Sequence, residues 1–351
     1  MKPGREKRDR ISSLPDCLIH LIMSFLTAQE AVRTCVLSKR WKNLWTTLPF
    51  LDFDLEEFVY NGVPERRFDM FVNFVNTTLL LREASDLRKL RLGKLRDFKQ
   101  YHMSVRSWIH YAFKHNIQEF SIKFPLRDSS VPLDGVFNCA SLVDVSINDQ
   151  SNWFFEAHLV TVVNLPCLKK LFLNGIELLQ DFVDNLFSGC PVLEYLHLED
   201  CGLGFSTMYS QSLKYLKIDD HEGSHYDTEE QMELIEAPNL LSFCYDQWSY
   251  QMGDKLLLKM PSLTSAVIIC HDKLQGILTG LSNVQNLVLG GYGIKEQVPG
   301  NEELLKIAPF KGKQLKIVKV GFSKSEQSFP QLVKYLQDFT CNSSARINMI
   351  S

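Results

Sequence analysis

The sequence LKKLFL at residues 168–173 has near copies in LEYLHL at 193–198 and LKYLKI at 213–218, and this repeated pattern indicates the fold. Each has apolar residues at its first, fourth and sixth positions. In an extended chain the fourth and sixth side chains point to the same side, so each stretch predicts a short strand with one buried face. A lone strand of this length cannot bury that face, and it therefore needs neighbouring copies.

The same L-x-x-L-x-L pattern, with other apolar residues allowed, occurs ten times. Its first positions are Leu87, Ile117, Leu142, Leu168, Leu193, Leu213, Leu240, Leu263, Val284 and Leu315. Their mean spacing of about 25 residues lies inside the roughly 20–29-residue period of leucine-rich repeats. We therefore expect a curved solenoid with a parallel sheet on its concave face.

A helical pattern precedes the repeats at residues 10–50, which we call the helical module. Pro15 suits a first helical turn, after which Leu18, Ile22 and Phe25 recur on one helix face. The sequence TAQE at 27–30 is a capping box that starts a second helix. We expect Ser38 to cap a third helix, which ends before a proline.

The helical module has more apolar side chains than three short helices can bury around one centre. Among them are Leu21, Trp41 and Trp45. Such a surplus indicates a partner surface. Docking of the same residues on the rest of the chain is the alternative that the pattern leaves open.

The residues of this module carry a resemblance to a known family. LPDCLIHLIMSFL at 14–26 resembles the first half of an F-box, and EAVRTCVLSKRW at 30–41 resembles its second half. The form is that of plant F-box/leucine-rich-repeat proteins, in which Cys17 often has Glu as its counterpart. The resemblance implies binding of a Skp-type adaptor and, through it, of the cullin and RING subunits of a ubiquitin ligase. The adaptor-binding residues predicted on this basis are Leu14, Pro15, Ile19, Ile22, Phe25, Leu26, Val36, Leu37 and Trp41. We expect Trp41 to be a central aromatic anchor of that interface.

The predicted architecture is α/β, with a three-helix F-box followed by the repeat solenoid. The predicted domains are a basic tail 1–9, the F-box 10–50, a joint and repeat cap 51–86, about ten repeats 87–322 and a C-terminal cap 323–351. Part of the joint has a helical pattern at Phe68, Phe71, Val72, Val75 and Leu79. The run 329–339 predicts a capping helix, and the C-terminal cap resembles a shortened FBD region.

The composition excludes several classes of function. Hydrophobic residues make up 45% of the 351 residues, charged residues 23%, and the net charge is −3. No overall field favours nucleic acid or an anionic membrane. No apolar run approaches the ~18 residues of a membrane span, and no long apolar run follows the basic N-terminus as in a secretory signal. We therefore expect a cytoplasmic or nuclear protein with reduced cysteines and neither nucleic acid nor membrane as a partner.

Candidate chemical sites are weak. His221 and His225 lie in an acidic stretch, 219–236, that has eight acids and no Lys or Arg. The glycine within it predicts a loop, so a solvated insertion is favoured over a metal site. The glycines at 290–293 lack the spacing of a dinucleotide site and predict a turn. We expect no cofactor, no metal and no catalytic residue, and hence a chain that is not an enzyme.

Side chains that alternate with the inward leucines face the open side of the predicted sheet. The candidate substrate-binding residues there are Lys170, Phe172, Tyr195, His197, Tyr215 and Lys217. Exposed aromatic rings framed by charges are typical of a recognition surface. A wet or covered face is the alternative, and a slip of one residue along a strand would invert these assignments.

The sequence thus predicts a substrate-recruiting subunit of an SCF-type ubiquitin ligase that holds an unknown protein on its repeats. Two alternatives stay open. The first is a ligand-gated F-box receptor, which a deep pocket at Phe172, Tyr195 and Tyr215 would favour. The second is an interaction scaffold outside any ligase. A hydrolase would require a nucleophile–base pair that the sequence does not reveal.

Overall fold

The computed structural model describes residues 11, 13–63, 66–83, 86–95, 102–124, 135–149, 155–156, 162–220, 232–247, 252–270, 280–281, 283–291, 317–322 and 346–350. The chain forms two compact units, residues 1–150 and 151–351. The first unit contains the helical module and four strands of parallel sheet. The second contains further strands of the repeat pattern.

The elements of the first unit alternate between helices and strands after the helical module. They are α1 (Asp16–Met23), α2 (Ala28–Arg33), α3 (Trp41–Leu44), β1 (Phe50–Asp54), α4 (Arg67–Leu81), β2 (Lys89–Gly93), α5 (His102–Lys114), β3 (Glu119–Phe124) and β4 (Asp144–Asp149). Two short 3₁₀ turns, Thr34–Val36 and Trp45–Thr47, follow α2 and α3.

The capping signals of the module are confirmed at one helix and wrong at another. Thr27 and Glu30 form the predicted capping box, in which each side chain accepts the other residue's backbone N–H, at 3.3 and 3.0 Å. Ser38, in contrast, does not cap α3. That helix begins at Trp41, and the Ser38 hydroxyl has no hydrogen-bond partner among the described residues. The 3₁₀ turn after α2 delays the third helix by two residues relative to a helix capped at Ser38.

One buried cluster holds the helical module together. Its members are Ile19, Met23, Ala31, Trp41 and Leu48, and Leu14, Leu26, Leu44, Trp45 and Phe50 pack against it. The inward face of α1 is therefore the Ile19–Met23 face. Leu18, Ile22 and Phe25, which the sequence predicts to share one apolar face, lie on the exposed side.

The sheet of the first unit is parallel, in the order β1-β2-β3-β4. It starts at β1, inside the segment predicted as a joint, where Leu48, Leu51 and Phe53 show the spacing of the repeat motif and are buried. The predicted helical pattern between β1 and β2 is α4, which buries Phe71, Val72, Val75 and Leu79.

The described residues of the second unit continue the strand pattern and include one helix. Its elements are β5 (Phe155–Glu156), β6 (Lys170–Asn174), β7 (Ile176–Leu179), α6 (Gln180–Gly189), β8 (Tyr195–Glu199), β9 (Gly202–Gly204), β10 (Thr207–Tyr209), β11 (Tyr215–Asp220), β12 (Met232–Glu236), β13 (Ser242–Gln247), β14 (Met252–Lys259), β15 (Ser265–Cys270), β16 (Asn286–Gly291), β17 (Ile317–Phe322) and β18 (Arg346–Ile350).

The main sheet of this unit runs β6-β8-β11-β13-β15-β16-β17-β18, with every described pairing parallel. Two three-stranded parallel sheets, β5-β7-β9 and β10-β12-β14, lie on the return segments. All ten predicted motifs contain a strand of a main sheet, so the parallel-strand solenoid is confirmed. The glycines at 290 and 291 continue β16 and do not form the predicted turn.

The buried ladder of this sheet has no slip between neighbouring strands. The residues that pair across it are Leu171, Leu196, Leu216, Phe243, Ala266 and Leu287. All are buried, as a stacked repeat core requires. The helix predicted at 329–339 lies outside the described residues. Within the described ranges, no helix combines the length and the apolar character needed to cross a bilayer.

Candidate functional site

The helical module exposes a group of large apolar side chains, which we call the apolar patch residues. They are Leu18, Leu21, Ile22, Phe25, Val36 and Leu37. Phe25 and Val36 are the extreme cases, at 82% and 84% exposure. Single exposed apolar residues are common on protein surfaces, but six within twenty residues of chain mark an interaction surface.

Helix α1 explains how the fold produces this exposure. Ile19 and Met23 are four residues apart and fill the module core. Leu18, Ile22 and Phe25 follow the i, i+4, i+7 spacing of a second face and point to solvent. A helix with only one buried face would carry polar residues on the other. Helix α1 is apolar on both faces, as we expect of a helix that packs on its own core and also binds a partner.

The structure places the nine predicted adaptor-binding residues in three environments. Five are exposed: Pro15, Ile22, Phe25, Val36 and Leu37. Leu14 and Leu26 are half-buried against the module core. Ile19 and Trp41 belong to the core itself, and Trp41 is only 2% exposed. In the free chain the Trp41 indole is packed inside the module, and its role as an anchor for the adaptor stays a prediction. Adaptor binding by the set as a whole stays a prediction.

Hydrogen bonds connect the helical module to the rest of the first unit. Gln29 Nε2 donates to the Val59 carbonyl at 3.0 Å, and the Val59 N–H donates to Gln29 Oε1 at 2.8 Å. Arg82 Nη2 donates to the Leu48 carbonyl at 2.6 Å. Within the module, Arg40 forms an ion pair with Asp16. The module that exposes the apolar patch residues is therefore hydrogen-bonded to the segment that follows it.

The second candidate surface is the open face, defined by the side chains of β6, β8, β11 and β13 that alternate with the buried ladder. All six predicted substrate-binding residues lie on it. Lys170, Tyr195 and Tyr215 occupy one register row, and Phe172, His197 and Lys217 the next. The inward and outward assignments of the sequence analysis therefore hold, while binding of a substrate by these residues stays a prediction.

Aromatic rings contact one another across the strands of the open face. The centroids of Phe172 and His197 are 4.8 Å apart in a T-shaped pair. Tyr195 lies 6.5 Å from His197 and 6.3 Å from Tyr215. The four rings form a continuous patch that presents both apolar area and hydroxyl groups, the combination that interfaces favour.

Asp219 organises the charges of this face, although it was not among the predicted site residues. Its side chain is 2% exposed; Oδ1 lies 2.6 Å from His197 Nε2, and Oδ2 accepts from Lys217 Nζ at 2.7 Å. Burial opposes ionisation, but these two hydrogen bonds outweigh it and hold the pKa of Asp219 below its usual value. The stretch 219–236 was predicted to be a solvated insertion, but its first carboxylate, Asp219, is buried between His197 and Lys217 on the open face.

The described part of the chain holds no cluster of metal-binding side chains. No group of three His, Cys, Asp or Glu residues there is placed to hold a metal, and His221 and His225 lie outside it. A cavity of about 540 Å³ lies beside α5, lined in part by Met103, Arg106 and His110. The described residues that line it do not include Phe172, Tyr195 or Tyr215, where a ligand-gated receptor was expected to have its pocket.

Fold and site together define a class of protein: a small helical module with an unpartnered apolar surface, followed by a parallel leucine-rich-repeat solenoid with an aromatic and charged open face. The F-box domain model matches residues 11–53. A second model, described as the leucine-rich repeats of the FBD-associated F-box protein At5g56370, matches residues 105–299.

Similar proteins of Arabidopsis thaliana agree with these matches. The FBD-associated F-box protein At4g13985 is 27% identical over 340 residues, which cover 85% of this chain and 70% of that protein. The F-box/FBD/LRR-repeat protein At5g53840 is 33% identical over 63% of this chain and 49% of that protein. The F-box/LRR-repeat protein At3g26922 is 31% identical over 80% of this chain and 89% of that protein. The chain belongs to the plant F-box/leucine-rich-repeat family, and it spans between half and nine-tenths of these relatives.

Proposed function

We propose that the chain is the substrate-recruiting subunit of an SCF-type ubiquitin ligase. The helical module binds a Skp-type adaptor, which links the chain to the cullin and RING subunits. The open face holds the protein to be ubiquitinated. The chain acts in the cytoplasm or nucleus by raising the local concentration of its substrate near the conjugating enzyme, without a catalytic residue of its own.

The observation that carries this proposal is the exposure of the apolar patch residues on a module that already has a complete core. Ile19 and Met23 fill the module core, whereas Phe25 and Val36 point outward and lie outside it. Burying such side chains in an interface stabilises a complex by about 1.5–3 kcal/mol for each large residue. Family membership supplies the kind of partner, because F-box modules as a class bind Skp-type adaptors.

The proposal is tested by co-expressing the full chain with a Skp-type adaptor and measuring the dissociation constant of the purified complex by calorimetry. We expect the double variant Phe25→Ser/Val36→Ser to lose about 2 kcal/mol or more of binding free energy. Because both side chains are exposed, the melting temperature of the free chain should stay close to that of the wild type.

Leu80→Ser is the matched control, because Leu80 on α4 is as exposed as Phe25 but lies outside the module. This variant should bind the adaptor like the wild type. Failure of the folded, monodisperse wild-type chain to bind any Skp-type adaptor would contradict the proposal. Equal binding by the double variant would place the interface elsewhere on the module.

A further inference from the structure

The helical module has more exposed positive charge than negative charge. Its described residues include four Lys and Arg side chains and two carboxylates. Both carboxylates are engaged: Asp16 is ion-paired with Arg40, and Glu30 accepts the N–H and the hydroxyl of Thr27 in the capping box. The other three cations are exposed, and none forms an ion pair with a described residue. They are Arg33, Lys39 and Lys42.

Two of these cations flank the part of the apolar patch formed by Val36 and Leu37. Arg33 ends α2, and a 3₁₀ turn follows it without a break. Residues three and four apart on such a backbone are surface neighbours, so Arg33 shares one side of the segment with Val36 and Leu37. On the other side, the Ser38 hydroxyl is buried, and both of its chain neighbours, Leu37 and Lys39, are exposed. We call Arg33 and Lys39 the flanking cations.

This arrangement is that of a protein–protein interface. Such interfaces bury apolar side chains at their centre and keep charged side chains at a solvated rim. Val36 and Leu37 supply the apolar part, and the flanking cations lie on either side of them in the chain. Charges at a rim favour a partner of opposite sign and disfavour one of like sign. A protein surface that bears carboxylates therefore fits this part of the module best.

Two other anionic partners fit less well. A nucleic acid backbone would attract the flanking cations but would leave Val36 and Leu37 exposed to water. A helix that lies in an anionic membrane surface has Lys and Arg along its polar face. Helix α1 carries three of the apolar patch residues and has no Lys or Arg. The cations are instead concentrated between α2 and α3, beside only part of the patch.

We propose that the surface that docks on the helical module carries carboxylates opposite the flanking cations. These carboxylates pair with Arg33 and Lys39 at the rim, while Val36 and Leu37 become buried. Because rim charges act over a distance before contact, they accelerate association more than they slow dissociation. This inference rests on the proposed function and names the chemistry of the adaptor surface that the module recognises.

The test measures association and dissociation rate constants of the full chain with a purified Skp-type adaptor by biolayer interferometry. Raising NaCl from about 0.05 M to about 0.5 M screens exposed charges. We expect the association rate constant to fall at least about fivefold over this range and the dissociation rate constant to change less than about twofold.

Substitutions of the flanking cations locate the effect. Arg33→Gln/Lys39→Gln should lower the association rate constant about fivefold at low salt and flatten its salt dependence, with dissociation within about twofold of the wild type. Arg33→Glu/Lys39→Glu places like charges opposite the adaptor and should lower association at least about twentyfold. Arg33→Lys/Lys39→Arg keeps the charges and should associate like the wild type.

A matched pair on α5 controls for the net charge of the chain. Arg106 and Lys114 are exposed in the same unit but lie outside the module. Arg106→Gln/Lys114→Gln removes the same two charges as the glutamine variant of the flanking cations. It should leave the association rate constant within about twofold of the wild type, because charges beyond the Debye length are screened.

An association rate that ignores salt, a wild-type rate for Arg33→Gln/Lys39→Gln, or an equal loss in the α5 control would overturn the inference. So would capture of the chain by phosphatidylserine vesicles that depends on the flanking cations while adaptor kinetics do not. In each of these cases the adaptor still binds, and the proposed function stands. A folded chain that never binds the adaptor contradicts the proposed function, and this inference with it.

Discussion

At the scale of single residues, Trp41 separates a role in the fold from a role in binding. Its side chain lies in the module core, and its indole N–H has no hydrogen-bond acceptor among the described residues. Trp41→Ala should lower the free energy of unfolding by about 3 kcal/mol, because it leaves a large cavity. Trp41→Phe should cost much less, because it also removes a buried donor that lacks a partner.

Urea denaturation of the full chain checks both Trp41 variants, with adaptor affinity measured at a temperature where each is folded. A Trp41→Ala chain of wild-type stability that no longer binds the adaptor would restore the role of Trp41 as a direct anchor. A folded Trp41→Phe chain should keep its adaptor affinity, since the exposed Phe25 and Val36 are unchanged.

The same residues show how far a pattern can assign a site. The family resemblance puts Ile22 and Phe25 among the adaptor-binding candidates, and the structure shows that both are exposed. The sequence does not tell which face of α1 is buried, because Leu18–Ile22 and Ile19–Met23 are both apolar pairs at i, i+4. Periodicity predicts which residues of a helix share a face. Which face is buried depends on tertiary packing, here on the contacts of Ile19 and Met23 with Trp41 and Leu48.

At the scale of elements, two hydrogen bonds of one side chain connect α2 to the segment before α4. Gln29 forms two hydrogen bonds with the backbone of Val59, as a neighbouring strand would. Gln29→Ala should destabilise this contact by about 1–2 kcal/mol, because the N–H and the carbonyl of Val59 each lose a hydrogen bond. Hydrogen exchange of the Val59 amide should become faster by about tenfold, while the buried amides of β2 keep their protection.

Gln29→Glu supplies the control for the joint, because its carboxylate can still accept from the Val59 N–H but cannot donate to the Val59 carbonyl. It should show an intermediate exchange rate. Unchanged protection of Val59 in Gln29→Ala would mean that apolar packing, and not this pair of hydrogen bonds, holds the joint.

The repeat motif predicted ten strands of the main sheets. It missed β1, although Leu48, Leu51 and Phe53 show the same spacing, and the return segments were not predicted. Each main strand that begins from a Leu-x-x-Leu phrase has a clear signal, because leucines of neighbouring repeats must stack. The strand β18 lacks an apolar residue at the first position, Ser344, and so escapes the pattern. The side strands β9 and β10 lie in the return segments and have only three residues each, which is too short for a hydrophobic period to show.

At the scale of the whole molecule, the two units offer surfaces of different chemistry. The first unit exposes apolar side chains such as Phe25, which suit a long-lived complex with a dedicated subunit. The second exposes rings and charges such as Tyr215 and Glu199, which suit a partner that is bound and released. A recruiting subunit needs both kinds of contact. We therefore assign adaptor binding to the first unit and substrate binding to the second in the proposed function.

The cysteines, spread over both units, provide a test of the fold as a whole. Burial raises the pKa of Cys190 and of Cys201 to about 12, so each is almost entirely a protonated, shielded thiol near pH 8. Cys17 and Cys167 are exposed.

Brief treatment with iodoacetamide, followed by peptide mass spectrometry, should therefore label the exposed pair at least about a hundredfold faster than the buried pair. In urea all four should react alike, which controls for the intrinsic reactivity of each peptide. Native labelling of Cys201 at the rate of Cys167, in a chain with an unchanged circular dichroism spectrum, would mean that β8 and β9 do not pack as the repeat fold requires.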